Sequence, residues 1–211
     1  MSIINDIADA VEKGKVKDIK VLVPQAIEEG LSAQTILNDG LLAGMNVIGG
    51  KFTRNEAFVP EVLVSARAMN KGTELIKPLL VQEGTQPIGK VCLGTVEGDL
   101  HDIGKNIVRM MLEGKNIEVI DLGTDVPVAK FIETATEENC QIICMSALLT
   151  TTMPVMKAVV DAAVEAGIRD KVKIMIGGAP VTEEYCKQIN ADVYTEDAAT
   201  CANEAARLLQ E

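Results

Sequence analysis

The first part of the chain carries apolar residues at helical spacing and shows no alternating strand pattern. Residues 3–12 form one such segment, and residues 16–29 form a second with its apolar side chains along one stripe. Gly30 follows the second segment directly, where a glycine commonly ends a helix. The pattern predicts two short amphipathic helices.

Two further helices are predicted before the pattern changes. Ser32 is placed to cap a helix that runs to about residue 48, where the glycine pair 49–50 is expected to end it. The next helix is expected to span about 59–80, with a proline tolerated in its first turn. Four consecutive helices with short connections indicate a small antiparallel bundle.

A polar segment rich in turn-forming residues separates this bundle from a different pattern. The expected division is a helical cap domain at 1–82, a linker at 83–89 and an α/β domain at 90–211. β-rich runs alternate with helical stretches five times in the last part. The expected strands are 91–95, 118–121, 141–146, 172–176 and 192–194, and the expected helices are about 104–114, 128–138, 153–167, 181–189 and 197–210. This alternation predicts a doubly wound, five-stranded parallel sheet of Rossmann-like or flavodoxin-like type.

Composition and charge exclude several classes of partner. Hydrophobic residues make up 47% of the 211 residues but aromatics only 2%, which fits the aliphatic core of an α/β protein. A net charge of −11 argues against nucleic-acid binding, which needs clustered Lys and Arg. No apolar stretch approaches the roughly 20 residues that span a bilayer, so no membrane association is expected. The five cysteines are odd in number and form no C-x-x-C pair, and the start of the chain does not resemble a signal peptide, so we expect reduced thiols and a cytoplasmic location.

Unusual polar residues and glycines follow three of the predicted strands. They occupy 94–104 after the first strand, 146–152 after the third and 177–178 after the fourth. The carboxyl ends of parallel strands meet at one edge of the sheet, so these loops are expected to converge on one site. Neither the G-x-G-x-x-G fingerprint nor the P-loop motif is present.

His101 is the only histidine in the chain, and Asp99 stands two residues before it. A carboxylate can accept a hydrogen bond from the Nδ1–H group of a histidine, which leaves Nε2 free as a base or metal ligand. One histidine cannot build a zinc site, but it can supply one axial ligand to a metal held in a macrocycle. A surface loop histidine and a general base remain alternatives at this point.

The motifs Asp99-x-His101-x-x-Gly104, Ser146-x-Leu148 and Gly177-Gly178 resemble the three-part signature of cobalamin-binding domains. The gaps of 41 residues after Gly104 and 28 after Leu148 match the spacing of that family. The whole chain, bundle included, is similar to the corrinoid proteins of methanol, methylamine and methoxy-aromatic methyltransferase systems and to the cobalamin module of methionine synthase.

The resemblance implies a cobalamin or related corrinoid bound base-off and His-on. His101 would be the lower cobalt ligand, Asp99 would accept a hydrogen bond from its other ring nitrogen, and Thr152 would complete the relay with its hydroxyl. In the bundle, the family's apolar residues over the methyl group correspond to Phe52, Val59 and Val62. The groove for the displaced nucleotide tail would be lined by Gly104, Ser146, Leu148, Thr150, Gly177 and Gly178.

The implied function is that of a methyl carrier, not catalytic on its own. A substrate:corrinoid methyltransferase would load the methyl group, and a methylcorrinoid:tetrahydrofolate or coenzyme M methyltransferase would remove it. A reductive activase is the third implied partner. The alternatives are a subunit of an adenosylcobalamin-dependent mutase, a cobalamin-dependent DNA-binding regulator, a corrinoid store and a corrin-free enzyme with His101 as base. The mutase domains lack the helical cap, and a DNA-binding regulator needs basic residues that this chain lacks.

Overall fold

The computed structural model describes residues 2–84 and 86–210. The chain forms two compact units, one of Met1–Pro87 with Gly114–Asn116, and one of Ile88–Glu113 with Ile117–Glu211. The boundaries expected from the sequence, with a linker at 83–89, stay a prediction.

The first unit is entirely helical and consists of four helical rods, the third of which is made of three consecutive helical segments. Apolar side chains of all four rods are buried between them, among them Ile7, Val23, Leu41 and Ile76. The third rod is continuous and contains a π-helical segment, a form that is rare in proteins. The helices are α1 (Ile3–Glu12), α2 (Val16–Glu28), α3 (Ala33–Thr35), the π-helical segment Ile36–Leu42, α4 (Ala43–Thr53) and α5 (Val59–Glu83).

Helix ends in this unit follow local rules at two predicted positions. Ser32 Oγ accepts a hydrogen bond from the Thr35 N–H at 3.0 Å, which confirms it as the cap of the third rod. Gly30 has a φ of +82° and follows the last turn of α2, where its N–H donates to the Ile27 carbonyl at 3.0 Å. The predicted stop at Gly30 is therefore confirmed.

The expectation that the glycine pair 49–50 ends the third rod is wrong. The helix continues to Thr53, and Asn55, with a φ of 58°, ends it in the left-handed conformation. The Asn55 N–H donates to the Phe52 carbonyl at 3.0 Å and the Glu56 N–H donates to Lys51 at 2.8 Å, which is the Schellman pattern. Tertiary packing overrides the weak helix propensity of glycine here, since Gly49 is buried.

The second unit contains a five-stranded sheet in the order β2-β1-β3-β4-β5, and every neighbouring pair is parallel. Its strands are β1 (Lys90–Val96), β2 (Glu118–Val126), β3 (Ile142–Ser146), β4 (Lys173–Gly177) and β5 (Val193–Tyr194). Its helices are α6 (Ile103–Glu113), α7 (Val128–Glu137), α8 (Met153–Glu165), α9 (Glu183–Ile189) and α10 (Ala198–Leu208). This strand order is the flavodoxin-like arrangement, so the predicted fold class is confirmed.

The core of the second unit is aliphatic, as the composition indicated. On one face of the sheet, Ile143 and Ile174 pack with Phe131 of α7 and Met156 of α8. The five cysteines are free and buried. The reducing, cytoplasmic location expected for them stays a prediction. Across the described residues, no helix is both long and apolar enough to cross a membrane.

Strand β2 is longer than the sequence indicated. It was expected to end at Asp121 but runs to Val126. The pairing with β1 is irregular, since Gly94 lies opposite Gly123 and Val96 lies opposite Val126. Each irregularity adds a residue to β2, as β-bulges do, and disrupts the alternation by which a strand is recognised.

Candidate cofactor site

Asp99 is the centre of the hydrogen bonds at the carboxyl edge of the sheet. It follows β1 in the turn that leads to α6, and it is 0% exposed. Its Oδ1 accepts from the backbone N–H of His101 at 3.1 Å and lies 2.7 Å from His101 Nδ1. Its Oδ2 accepts from the N–H groups of Leu148 and Leu149 at 2.7 and 3.2 Å and from Thr152 Oγ1 at 3.1 Å. The structure thus brings together the loops after β1 and β3, as the sequence predicted.

These donors determine the charge state of Asp99. Burial of the carboxyl raises its pKa, but the hydrogen bonds from Leu148, His101 and Leu149 lower it by more, so the net pKa lies well below the usual range. Asp99 is therefore a carboxylate at neutral pH and acts only as an acceptor. It follows that His101 Nδ1 is the protonated ring nitrogen in this contact.

His101 presents the rest of its ring to the outside. Its side chain is 51% exposed, and its backbone carbonyl accepts a hydrogen bond from Thr95 Oγ1 at 2.8 Å. With Nδ1 bound to Asp99, Nε2 is the nitrogen left to meet a ligand. Within the described residues, no three His, Cys, Asp or Glu side chains are grouped to hold a metal ion. The site therefore presents one exposed imidazole, without a cluster of such side chains among the described residues.

Thr152 lies where a relay would need it. It is buried at the start of α8, and its hydroxyl also contacts the Leu149 carbonyl at 2.9 Å. A threonine hydroxyl has one proton, so that proton is shared between the Asp99 carboxylate and this carbonyl. The third member of the predicted Asp99–His101–Thr152 group is thus within hydrogen-bond distance of the first.

Large apolar side chains are exposed in the two loops that carry His101 and the donors to Asp99. Leu100 and Ile103 are 74% and 70% exposed, and Leu148 and Leu149 are 44% and 40% exposed. Such side chains are usually buried, and exposed apolar side chains on converging loops are typical of a binding surface. We call these four residues the apolar ledge. Together with a free Nε2, the ledge fits a flat, largely apolar macrocycle that carries a metal.

The predicted glycines differ in how much room the surrounding protein leaves for a side chain. A Cβ at Gly104 would meet no protein atom within 4 Å, so the protein itself does not require a glycine there. A Cβ at Gly178 would lie 1.8 Å from the Ala147 carbonyl oxygen, so this glycine is required by the packing of the chain. A Cβ at Gly177 would lie 3.2 Å from the Thr195 carbonyl oxygen, so a larger residue there would need that carbonyl to shift.

The remaining predicted residues lie at the same edge or in the bundle. Ser146 is half-buried at the end of β3, beside Gly177 of β4, and Thr150 is exposed in the loop that follows. In the first unit, Val62 is fully buried, and Phe52 and Val59 are half-buried. The roles expected for these residues toward a cofactor remain proposals.

Sequence reasoning missed the residues that β2 contributes to this edge. Asp125 Oδ1 accepts from the Gly98 N–H at 2.7 Å, and the Asp125 N–H donates to the Asp99 carbonyl at 2.9 Å. Lys105, next to Gly104, is buried and its Nζ lies 2.6 Å from Asp121 Oδ1. Asp121 and Asp125, at and after the expected end of the second strand, were the available signal, because β2 is parallel to its neighbours and ends at the same edge.

Family models match both units. A model described as "B12 binding domain" covers residues 89–205, and a second model with the same description covers residues 3–77. The first contains every predicted site residue of the α/β unit, and the second contains the three predicted bundle residues.

Curated relatives match the chain over nearly its whole length. The dimethylamine corrinoid protein of Methanosarcina barkeri is 42% identical over 98% of this chain and 97% of its own length. The trimethylamine corrinoid protein 1 of Methanosarcina acetivorans is 43% identical over 88% of this chain and 87% of its own length.

Solved structures agree with these relatives. A cobalamin-binding protein from Desulfitobacterium hafniense superimposes with a TM-score of 0.82 at 32% identity, over 99% of this chain and 98% of its own. The methanol:cobalamin methyltransferase complex MtaBC of Methanosarcina barkeri matches with a TM-score of 0.88 at 34% identity, over 99% of this chain and 80% of the matched chain. The chain therefore belongs to the B12-binding family, among the corrinoid proteins of methyltransferase systems.

Proposed function

We propose that this chain carries a methyl group on a bound corrinoid, base-off, with His101 as the lower ligand of cobalt. The observation that carries the proposal is the 2.7 Å contact between Asp99 Oδ1 and His101 Nδ1. It selects the ring tautomer with a free Nε2 and holds the ring at the exposed edge of the sheet.

The residues around His101 make it a well-defined ligand. The buried Asp99 carboxylate accepts a hydrogen bond from the Nδ1–H group and so holds the ring with Nε2 directed to the outside. Leu148, Leu149 and Thr152 hold that carboxylate from its other side. The ring is therefore oriented before any cofactor arrives, which reduces the entropy lost on ligation.

The apolar ledge supplies the contact surface. Leu100, Ile103, Leu148 and Leu149 would exclude water from the macrocycle face nearest His101. The groove for the nucleotide tail is proposed to be lined by Gly104, Ser146, Leu148, Thr150, Gly177 and Gly178. Phe52, Val59 and Val62 of the bundle are proposed to shield the opposite face.

When bound, the corrinoid supplies the cobalt that takes up and releases the methyl group, and the protein supplies orientation and water exclusion. On this proposal the chain needs two partner methyltransferases, one that loads and one that unloads, with tetrahydrofolate or coenzyme M as acceptor, and a reductive activase. The match of relatives across the bundle favours a methyl carrier over a mutase subunit, which would lack a helical cap.

We further propose a methylated amine as the source of the methyl group. The support is that relatives at 42% and 43% identity are named as dimethylamine and trimethylamine corrinoid proteins. A panel of purified substrate methyltransferases for dimethylamine, trimethylamine and methanol would test it by the rate of methyl loading. Fastest loading from methanol would overturn this choice of donor.

The binding proposal is tested by loading the purified protein with cobalamin and recording the electron paramagnetic resonance spectrum of the Co(II) form. We expect one corrinoid per chain and the hyperfine splitting of one protein imidazole. Because His101 is the only histidine, the His101→Ala variant is the matched control and must lose the splitting. Benzimidazole bound to cobalt in the wild-type protein would contradict the proposal.

A further inference from the structure

Asp125 lies in an irregular part of β2 that turns it toward the Asp99 loop. Between the pairs Gly94–Gly123 and Val96–Val126, β2 has one residue more than β1. A bulge of this kind re-aims side chains and often lies beside functional sites. The extra residue therefore gives Asp125 an orientation that a regular strand would not provide.

Asp125 contacts the loop at two peptide groups, one on each side of the peptide that joins Gly98 to Asp99. Its carboxylate Oδ1 accepts from the Gly98 N–H at 2.7 Å, and its backbone N–H donates to the Asp99 carbonyl at 2.9 Å. The Asp99 N–H donates to the Val96 carbonyl at 3.1 Å. The backbone is thus held on both sides of Asp99, while Leu148, Leu149 and Thr152 hold only its side chain.

The backbone conformation of Asp125 is one that most residues avoid. Its φ is 54°, in the left-handed region where aspartate and asparagine are tolerated better than most other side chains. Such conformations persist where the surroundings over-determine them, and they cluster at functional sites. Glycine would fit the backbone at less cost but would have no carboxylate for the Gly98 N–H.

We propose that Asp125 is a positioning residue that sets the orientation of the Asp99–His101 pair and hence the ring tautomer offered to cobalt. The role toward cobalt rests on the proposed function, whereas the effect of Asp125 on the His101 tautomer can be tested without a cofactor. Asp125 acts through the loop backbone, whereas His101 is the residue that would contact the cofactor.

The sole histidine allows a test on the protein without corrinoid. Protein labelled with ¹⁵N-histidine has one imidazole, so the ¹⁵N shifts of the neutral ring report directly the fraction with the proton on Nε2. We expect this fraction to rise several-fold in Asp125→Gly, and about tenfold where the whole of the lost charged hydrogen bond acts on the Asp99–His101 contact. Asp125→Asn keeps a neutral acceptor and should lie between wild type and Asp125→Gly.

Asn139→Gly is the matched control, since Asn139 also has a φ of 54° in the same unit but follows α7. It should leave the His101 shifts unchanged. An unchanged tautomer fraction in folded Asp125→Gly overturns the proposal. If Asp125→Gly does not fold, an unchanged fraction in Asp125→Asn overturns it instead.

A second measurement distinguishes a failure of the Asp125 proposal from a failure of the assignment of His101 as cobalt ligand. In the corrinoid-loaded Co(II) form, Asp125→Gly should contain a smaller fraction of molecules with imidazole splitting than wild type. Wild-type protein without imidazole splitting would overturn the ligand assignment, and the tautomer series in the unloaded protein would still test Asp125 by itself.

Discussion

Asp99 and His101 are two residues apart and in contact, yet the Asp99 side chain is 0% exposed and the His101 side chain is 51% exposed. One end of the pair is held inside the protein by donors from the loop after β3, and the other end faces outward. Because of this difference in exposure, we expect substitutions of His101, Asp99 and Thr152 to impair methyl transfer to different extents.

Methyl transfer should be impaired most by His101→Ala, less by Asp99→Asn and least by Thr152→Val. His101→Ala removes the proposed cobalt ligand, but the variant should still bind the corrinoid through the contacts of the groove. The second removes the charged partner of the ring, for which we expect a loss of about 10- to 100-fold. The third removes one neutral hydrogen bond, for which about fivefold is expected.

Single-turnover methyl transfer with a loading methyltransferase measures this order, with corrinoid content determined for each variant. Thr152→Ser keeps the hydroxyl and should stay near wild type. A larger loss in Thr152→Val than in His101→Ala would contradict the assignment of His101 as ligand.

Gly104→Ala and Gly178→Ala should separate cofactor binding from folding. At Gly104 a methyl group meets no protein atom within 4 Å, so the unloaded protein should keep its stability while corrinoid binding weakens. At Gly178, with a φ of +128°, a methyl group would meet the Ala147 carbonyl, so the free energy of unfolding should fall by more than about 1 kcal/mol. Chemical denaturation without corrinoid and a binding titration measure both effects. Equal loss of stability in the two variants would contradict the distinction.

The Lys105–Asp121 ion pair should make the stability of the unloaded protein depend on pH. Burial of the Asp121 carboxyl raises its pKa, but Lys105 and the Gly123 N–H lower it by more, so the net pKa lies below its usual value. A carboxyl whose pKa is lowered in the folded state stabilises the fold above its pKa in the unfolded state, about 3.9. That contribution is lost as the pH falls from there through the lower pKa of the folded state. The stability difference between wild type and Asp121→Asn should therefore be constant above about pH 5 and shrink below about pH 4.

Urea unfolding from pH 7 to pH 3 measures that difference. Asp170→Asn, at an exposed aspartate, is the control and should differ little from wild type at any pH. A difference for Asp121→Asn that stays constant down to pH 3 would rule out the ion pair as its cause.

A fragment of the second unit is expected to fold and bind corrinoid by itself. The prediction from the sequence begins at residue 90, but Gly89 accepts a hydrogen bond from the Glu118 N–H at 2.9 Å, so a fragment from Ile88 is the better design. The sheet, its helices and the Asp99–His101 pair all lie within it. Circular dichroism and the corrinoid spectrum measure the outcome. An unfolded fragment would show that the two units depend on each other.

The sequence by itself determined the elements, the fold class and the residues at the end of β1. Strand and helix periodicity is a local property, and a parallel sheet places the ends of β1, β3 and β4 at one edge whatever the details of packing. The sole histidine and its neighbouring aspartate could therefore be assigned to one site before any contact was known. Ser32 and Gly30 were predictable for the same reason, because caps act within one turn of a helix.

Only the tertiary structure decided what depends on contacts between distant segments. Gly49 continues a helix because packing outweighs its low propensity, and β2 extends past Asp121 because bulges keep it paired with β1 after its alternation is lost. Asp125 enters the site only through this irregular pairing, so its contacts with the Asp99 loop could not be derived from a local pattern. The difference between Gly104 and Gly178 has the same origin. Both are glycines in the sequence, and only the surrounding atoms show that packing requires a glycine at Gly178.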